Sequence, residues 1–222
     1  MKEDILGNNL KCITEGMLIK SDSSSTSYQI INGLDLTLSQ ESDIIWGKFN
    51  LETLHYIKNN IAEKDLEKTI RSLHAEDAHW SWFNKAVNYT DDGFEWFYMI
   101  SDNEVQCICL VFQPKESIIN DGNIFYIEYI SVAPWNRDTL INKRKYLHVA
   151  RTMITTIIEY LENVKGLTPA FSLHSLPQAI GYYEHIGMVH CPEEDKTNLK
   201  FFEIPLEHAQ KLIKAHNDEK VC

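Results

Sequence analysis

Apolar and polar positions along the chain divide it into short segments. Residues 28–38 have strand composition, with Ile30, Ile31, Leu34, Leu36 and Leu38 around a turn at Gly33. Between Leu51 and Leu73, the apolar residues Leu54, Ile57, Ile61, Leu66 and Ile70 recur near the 3.6-residue period and predict a helix. Residues 94–100 and 105–113 are apolar runs joined by the polar turn Ser101-Asp102-Asn103-Glu104, which predicts a β-hairpin. A loop at Asn120-Asp121-Gly122 leads into a strand over 125–132, closed by Ala133-Pro134-Trp135. After a basic loop over 137–145, Ala150, Ile154, Ile157, Ile158 and Leu161 share one face of a helix over 147–163, and Gly166 stands where a C-cap glycine belongs. A strand over 170–173, a short helix over 177–185, a strand over 201–204 and an amphipathic helix over 206–215 complete the chain.

Strands interleaved with helices predict an α/β (α+β) domain over residues 28–205. Residues 1–27 read as a peripheral segment ending in a flexible serine-rich link over 21–27, and 206–222 as a C-terminal tail helix. At 222 residues the chain has room for one domain and a small appendage. With 44% hydrophobic and 11% aromatic residues it can bury a sizeable core, which excludes global disorder.

Lys and Arg number 21 against 32 Asp and Glu, a net charge of −11. That balance argues against a nucleic-acid partner, which needs clustered cations, and favours cationic partners such as amines. No run approaches the roughly 18 apolar residues of a membrane span. The acidic start, Met1-Lys2-Glu3-Asp4-Ile5, lacks a signal-peptide pattern. A soluble, cytoplasmic protein with no membrane partner is expected; its oligomeric state stays open between monomer and homodimer. Five cysteines (Cys12, Cys107, Cys109, Cys191 and Cys222) have no framework spacing, so no disulfide scaffold is expected. Cys107 and Cys109 share a strand face and read as buried and inert rather than as a metal pair.

The chemistry concentrates between Tyr126 and Met188. Lys145-Tyr146-Leu147-His148-Val149-Ala150-Arg151 joins a basic loop to a helix start, where open backbone N–H groups and nearby cations make an anion site; a solvated basic surface is the alternative. His74, Asp77 and His79 fit no metal-site spacing and read as a capped helix end, so no metal is expected. Trp80 and Trp82 read as core or interface, with cation–π capture of an amine as the alternative.

Three elements carry a resemblance: Val132-Ala133-Pro134-Trp135-Asn136-Arg137, Lys145 to Arg151, and Tyr182-Tyr183-Glu184-His185-Ile186-Gly187-Met188. Together they resemble the GNAT N-acetyltransferases. Lys145-x-x-His148-x-Ala150 falls on that family's Gln/Arg-x-x-Gly-x-Gly/Ala pyrophosphate loop, with His148 in place of the first glycine. Leu176 stands where many members carry asparagine. The resemblance implies the GNAT acyl-CoA N-acyltransferase fold, a mixed central sheet with splayed central strands flanked by helices. It also implies acetyl-CoA as cosubstrate, held by Ser131, Val132, Lys145, His148, Val149, Ala150 and Arg151. Tyr183 matches the tyrosine that protonates the departing sulfur. Glu128, four residues before Val132 on the same strand face, is the candidate base, against the alternative of a solvent-facing strand residue. The implied activity is acetyl transfer to a primary amine of a small molecule or protein. The rival is a GNAT-fold interaction or regulatory module with weak or no CoA binding; a longer acyl donor is a third reading.

Overall fold

The computed structural model describes residues 10–220, the last two by backbone alone; the acidic start of the chain and Cys222 lie outside them. In chain order the elements are β1 (Lys11–Ile19), β2 (Ser25–Asn32), α1 (Leu36–Asn60), α2 (Glu63–Arg71), α3 (Trp82–Asn88), β3 (Phe94–Ser101), β4 (Glu104–Glu116) and β5 (Asn123–Val132). Then follow α4 (Val149–Lys165), β6 (Phe171–Ser175), α5 (Ile180–His185), β7 (Val189–His190), β8 (Lys200–Glu203) and α6 (Leu206–Lys220). Hydrogen bonding orders the strands β1-β2-β3-β4-β5-β6-β8-β7. β5 and β6 pair parallel across the α4 crossover; β1/β2, β2/β3, β6/β8 and β7/β8 pair antiparallel. The expected mixed sheet with helices is present. Among the described residues no helix is long and apolar enough to cross a membrane.

The chain divides into two compact units. The first comprises residues 10–91, Phe97–Ile108 and Ser131–Val149, and the second Asp92–Trp96, Cys109–Ile130 and residues 150–220. In the first, β1 and β2 pair from Lys11↔Asn32 to Ile19↔Ser25, around a tight turn in which the Lys20 N–H donates to the Ser24 carbonyl (2.7 Å). The serine-rich segment is therefore a hairpin turn and strand start rather than a flexible link. Asp22 tightens it by accepting from the Ser24 N–H (2.9 Å) and hydroxyl (2.6 Å).

The strand expected over 28–38 ends at Asn32. Gly33 adopts φ +127°, and Asp35 then caps α1, its carboxylate accepting from the Leu38 N–H (2.9 Å). Leu36 and Leu38 are thus helical. The helix expected over 51–73 is two helices, broken where Ile61 and Ala62 are extended. On α1 the buried residues are Ser39, Ser42, Trp46 and Ile57, whereas Leu51 and Leu54 are exposed. The buried serines are satisfied: Ser39 shares a hydrogen bond with the Tyr98 hydroxyl (2.8 Å), and Ser42 donates to the Leu38 carbonyl (2.7 Å). Burial pushes the Tyr98 hydroxyl up to about 12. Asp43, also on α1, accepts from the Ser81 hydroxyl (2.9 Å) and from the Trp82 (2.7 Å) and Phe83 (3.0 Å) N–H groups, so one helix caps the start of α3.

The core of the second unit gathers Phe125, Phe171, Phe201 and Phe202 from the sheet with Met153, Ile157 and Leu161 of α4. Within it, the fully buried Glu203 accepts from the Ser117 hydroxyl, from the Ile118 and Ile119 N–H groups (3.1 Å each) and from Asn120 Nδ2 (3.1 Å). Asn120 in turn accepts from the Leu206 N–H (2.8 Å) at the start of α6. Glu203→Ala removes the shared acceptor of these part-buried donors, and the expected loss is about 1–2 kcal/mol in urea unfolding. Glu203→Gln, which keeps a carbonyl acceptor, should recover part of it. Equal stability of Glu203→Ala and wild type would remove this anchoring role.

Candidate functional site

In the first unit, β5 ends at Ser131-Val132, and a buried ion pair closes over that end. Arg137 grips Asp77 with both arms of its guanidinium, Nη1 to Oδ1 at 2.7 Å and Nη2 to Oδ2 at 2.6 Å. The same guanidinium donates to the His74 carbonyl (2.6 Å), the Ser131 hydroxyl (3.0 Å) and the Val132 carbonyl (3.1 Å). Ser131 itself donates to Asp77 Oδ2 (2.5 Å). Ser131, read as a donor-binding residue, thus has its side chain committed inside the protein. Asp77 is not the cap of a helix end, as its spacing suggested. It is the counterion of a residue sixty positions later, a distance at which no local pattern signals a pair.

The loop before α4 is held from several sides. The Lys145 N–H donates to the Trp135 carbonyl (2.8 Å), the Leu147 N–H to the Ile19 carbonyl (2.9 Å) and the Ser21 N–H to the Lys145 carbonyl (3.2 Å), and Tyr146 forms a β-bridge with Lys20. The segment expected as periphery therefore supplies backbone partners to this loop. The Tyr146 hydroxyl donates to Asp102 (2.5 Å), which also meets the ammonium groups of Lys20 (3.3 Å) and Lys145 (3.6 Å). Hydrogen bonds from Tyr146 and Thr26 hold the Asp102 carboxyl well below the usual carboxylate range. A depressed carboxylate stabilises the fold above its unfolded value near ~3.9, and this is lost as pH falls toward the folded value, so the clamp holds at neutral pH. Burial works against charge on Lys145, but Tyr146, Glu104 (3.7 Å) and Asp102 outweigh it and raise its ammonium above the usual range. Arg144 pairs with Asp138 (2.5 Å). Two cations of this loop are therefore paired, Lys145 with carboxylates of the distant β3–β4 turn and Arg144 with Asp138 of the loop itself.

His148 follows, with φ +58°, in the left-handed region that glycine favours, and its side chain is exposed. α4 begins at the next residue, Val149, with no acid in its first turn, and the positive end of its dipole favours an anion there. The position that the resemblance aligns with a loop glycine thus has a backbone that glycine favours, and the loop fits a phosphate-bearing cosubstrate in backbone conformation. Left-handed backbone costs an L-residue about 1–2 kcal/mol, while glycine loses about 0.5–1 in chain entropy. His148→Gly should accordingly raise stability by up to about 1 kcal/mol and retain acetyl-CoA affinity, read by thermal denaturation with and without the ligand. A fall in affinity at unchanged stability would instead assign the imidazole to the phosphates.

The other expected residues lie in the second unit. Glu128 is half-buried on β5. Tyr183, on α5 after a 3-10 turn at Pro177–Ala179, is 6% exposed. Its ring stands edge-to-face on Tyr182 (centroids 5.4 Å) and near Phe202 (6.4 Å), and its carbonyl accepts from the Met188 N–H (3.0 Å). Ser175 donates to the carbonyl of Leu176, which opens the 3-10 turn. Cys107 and Cys109 are fully buried, and burial pushes the Cys107 thiol up. Among the described residues no three His, Cys, Asp or Glu side chains gather around a metal position.

No family model matches the chain, and no curated protein matches it. Solved structures do. The GNAT domain of PAT from S. lividans superposes with a TM-score of 0.52 over 86% of this chain and 96% of that one, at 9% identity. A nucleotide-linked sugar GNAT, FdhC in its apo form, gives 0.50 over 92% and 97%, also at 9%. An uncharacterized protein from Bacillus halodurans gives 0.52 over 95% and 100%, again at 9%. Likeness at this identity is likeness of fold: the chain has the GNAT N-acetyltransferase fold.

Proposed function

We propose that the chain is an acyltransferase that moves an acetyl group from acetyl-CoA to a primary amine. The observation that carries this reading is the left-handed turn at His148 opening α4 in a GNAT fold. Bound acetyl-CoA supplies an acetyl thioester. The chain's part is to hold it, with the first N–H groups of α4 at Val149, Ala150 and Arg151 on the pyrophosphate, helped by Lys145 and His148. Ser131 and Val132 contribute backbone at the end of β5, where an N–H polarises the thioester carbonyl. Glu128, directly or through water, takes a proton from the acceptor amine, whose ordinary pKa near ~10 leaves it protonated at neutral pH. Tyr183 returns a proton to the leaving sulfur. We assign this activity to residues 28–205, supported by β1 from the segment before it.

Saturating acetyl-CoA should raise the melting temperature by mass action, and free CoA should appear when an amine is added. No shift and no calorimetric heat would overturn the reading. One observation favours the rival, an interaction module with weak CoA binding: Lys145 and Arg144 are already paired with Asp102, Glu104 and Asp138. The same titration separates the two.

A further inference from the structure

A cleft in the first unit has two compartments. The larger, about 280 Å³, is lined by Trp46, Trp80 and Trp82, with Ser131 and Asp43. The smaller, about 80 Å³, is framed by Phe49, Leu54, Leu73 and Ile141. Asn50, Ala78, Pro134 and Arg137 line both, so the compartments meet at a common wall. Together they reach the low end of the roughly 300–1,000 Å³ of small-molecule sites.

The charge of the cleft differs from that of the chain. Net charge −11 suggests a receptor for polycations. Yet Asp77 is neutralised by Arg137 at two short contacts, and Asp43 caps α3, whose positive N-terminal dipole offsets it. What remains is tryptophan surface beside the uncharged polar groups of Asn50, Ser81 and Ser131 in the larger compartment, and mainly apolar surface in the smaller. Trp46, Trp82 and Trp80 form a chain of edge-to-face contacts, at 6.3 Å and 6.0 Å between centroids. Trp82 and Trp46 are buried and fixed, and Trp80 is half-buried. Leu54, exposed at 46% on α1, has its apolar surface turned to the smaller compartment.

We infer that this cleft receives the acceptor, and that the acceptor is a monoamine with an aromatic or branched apolar body. The inference rests on the transferase reading above. Ser131, beside Val132, lines the larger compartment, so an amine there lies at the strand end assigned to the thioester. One ammonium can be met by the remaining acceptor capacity of Asp43, while the Lys85 ammonium, 4.9 Å over the Trp80 ring, adds a cation to the cleft wall. A second or third ammonium, as in a polyamine, meets no unpaired carboxylate and faces the Arg137 guanidinium, which penalises it. The transfer is balanced: a C–N bond to the acceptor replaces the C–S bond, and the proton lost by the amine ends on the CoA thiol.

The test compares phenethylamine with spermidine and a lysine peptide, on wild type and on Ala78→Phe, which plugs the wall shared by the compartments. Phenethylamine should give a kcat/KM at least tenfold above the others. Ala78→Phe should lower that value at least tenfold, chiefly through KM, while the stabilisation by acetyl-CoA stays as in wild type. A preference for spermidine or the peptide, or phenethylamine constants unmoved by Ala78→Phe, would overturn the assignment. Should no amine turn over, titration of tryptophan fluorescence with phenethylamine decides. Saturable quenching that Ala78→Phe abolishes keeps the cleft as an amine site and removes only the transferase reading. No quenching removes the cleft.

Discussion

Arg137→Ala is expected to cost about 3–5 kcal/mol, because it strands a buried carboxylate rather than a solvated one. For a chain of this length that is roughly 6–20 °C in melting temperature. Asp77 is 8% exposed and takes both arms of the guanidinium, so its charge loses its main compensation and keeps only the Ser131 hydroxyl and the edge it presents to the cleft. The loss reaches further than the pair. Arg137 also holds the His74 and Val132 carbonyls and the Ser131 hydroxyl, so the end of β5 and the residues after α2 lose a shared anchor. Arg137→Lys keeps the charge but not the fork and should fall between the two. The double variant Asp77→Ala/Arg137→Met should be less damaging than Arg137→Ala alone, since no charge is left buried. A loss below about 1 kcal/mol in the single variant would show that water reaches Asp77, as at a surface pair.

The contrast between local and distant signals explains which parts of this architecture could be read from the chain. The β3–β4 turn was legible because Asp102 and Asn103 are residues that tolerate the positive φ (+52° and +60°) a two-residue hairpin needs. α4 was legible by its apolar face and by Gly166, at φ +66° past its last turn, although the helix runs Val149–Lys165 rather than 147–163 because His148 is left-handed. α1 was not. Its buried face carries Ser39 and Ser42, whose hydroxyls find partners in the fold, while leucines that look like a core stripe line a cleft or meet solvent. Hydropathy counts a satisfied buried serine as a surface residue. β1 was hidden for a related reason: as a sheet-edge strand most of its side chains are exposed or half-buried, so it has little apolar signature. At the site, the loop into α4 was visible as a motif. Its carboxylate partners Asp102 and Glu104, and the pairing of Asp77 with Arg137, depend on chain contacts that no spacing rule encodes.

Tyr183→Phe should lower turnover about 10²–10⁴-fold while leaving acetyl-CoA affinity near wild type, if the phenol is the general acid of the proposed reaction. The variant is well suited to the question because the ring is held by packing. Tyr182 and Phe202 contact it from α5 and β8, and the helix is closed through the Tyr183 carbonyl, which the substitution leaves in place. Phenylalanine keeps the ring and its apolar area, so the fold should lose little. A tyrosine that serves only the core predicts the opposite split, with a lower melting temperature and intact turnover. Tyr182→Phe, one position away on the same short helix, is the matched control and should retain activity. If the two variants are equally active, Tyr183 leaves the catalytic assignment. The thiolate must then depart unassisted or take its proton from water, and the remaining rate acceleration falls to the backbone donors at Val132 and the placement of the amine.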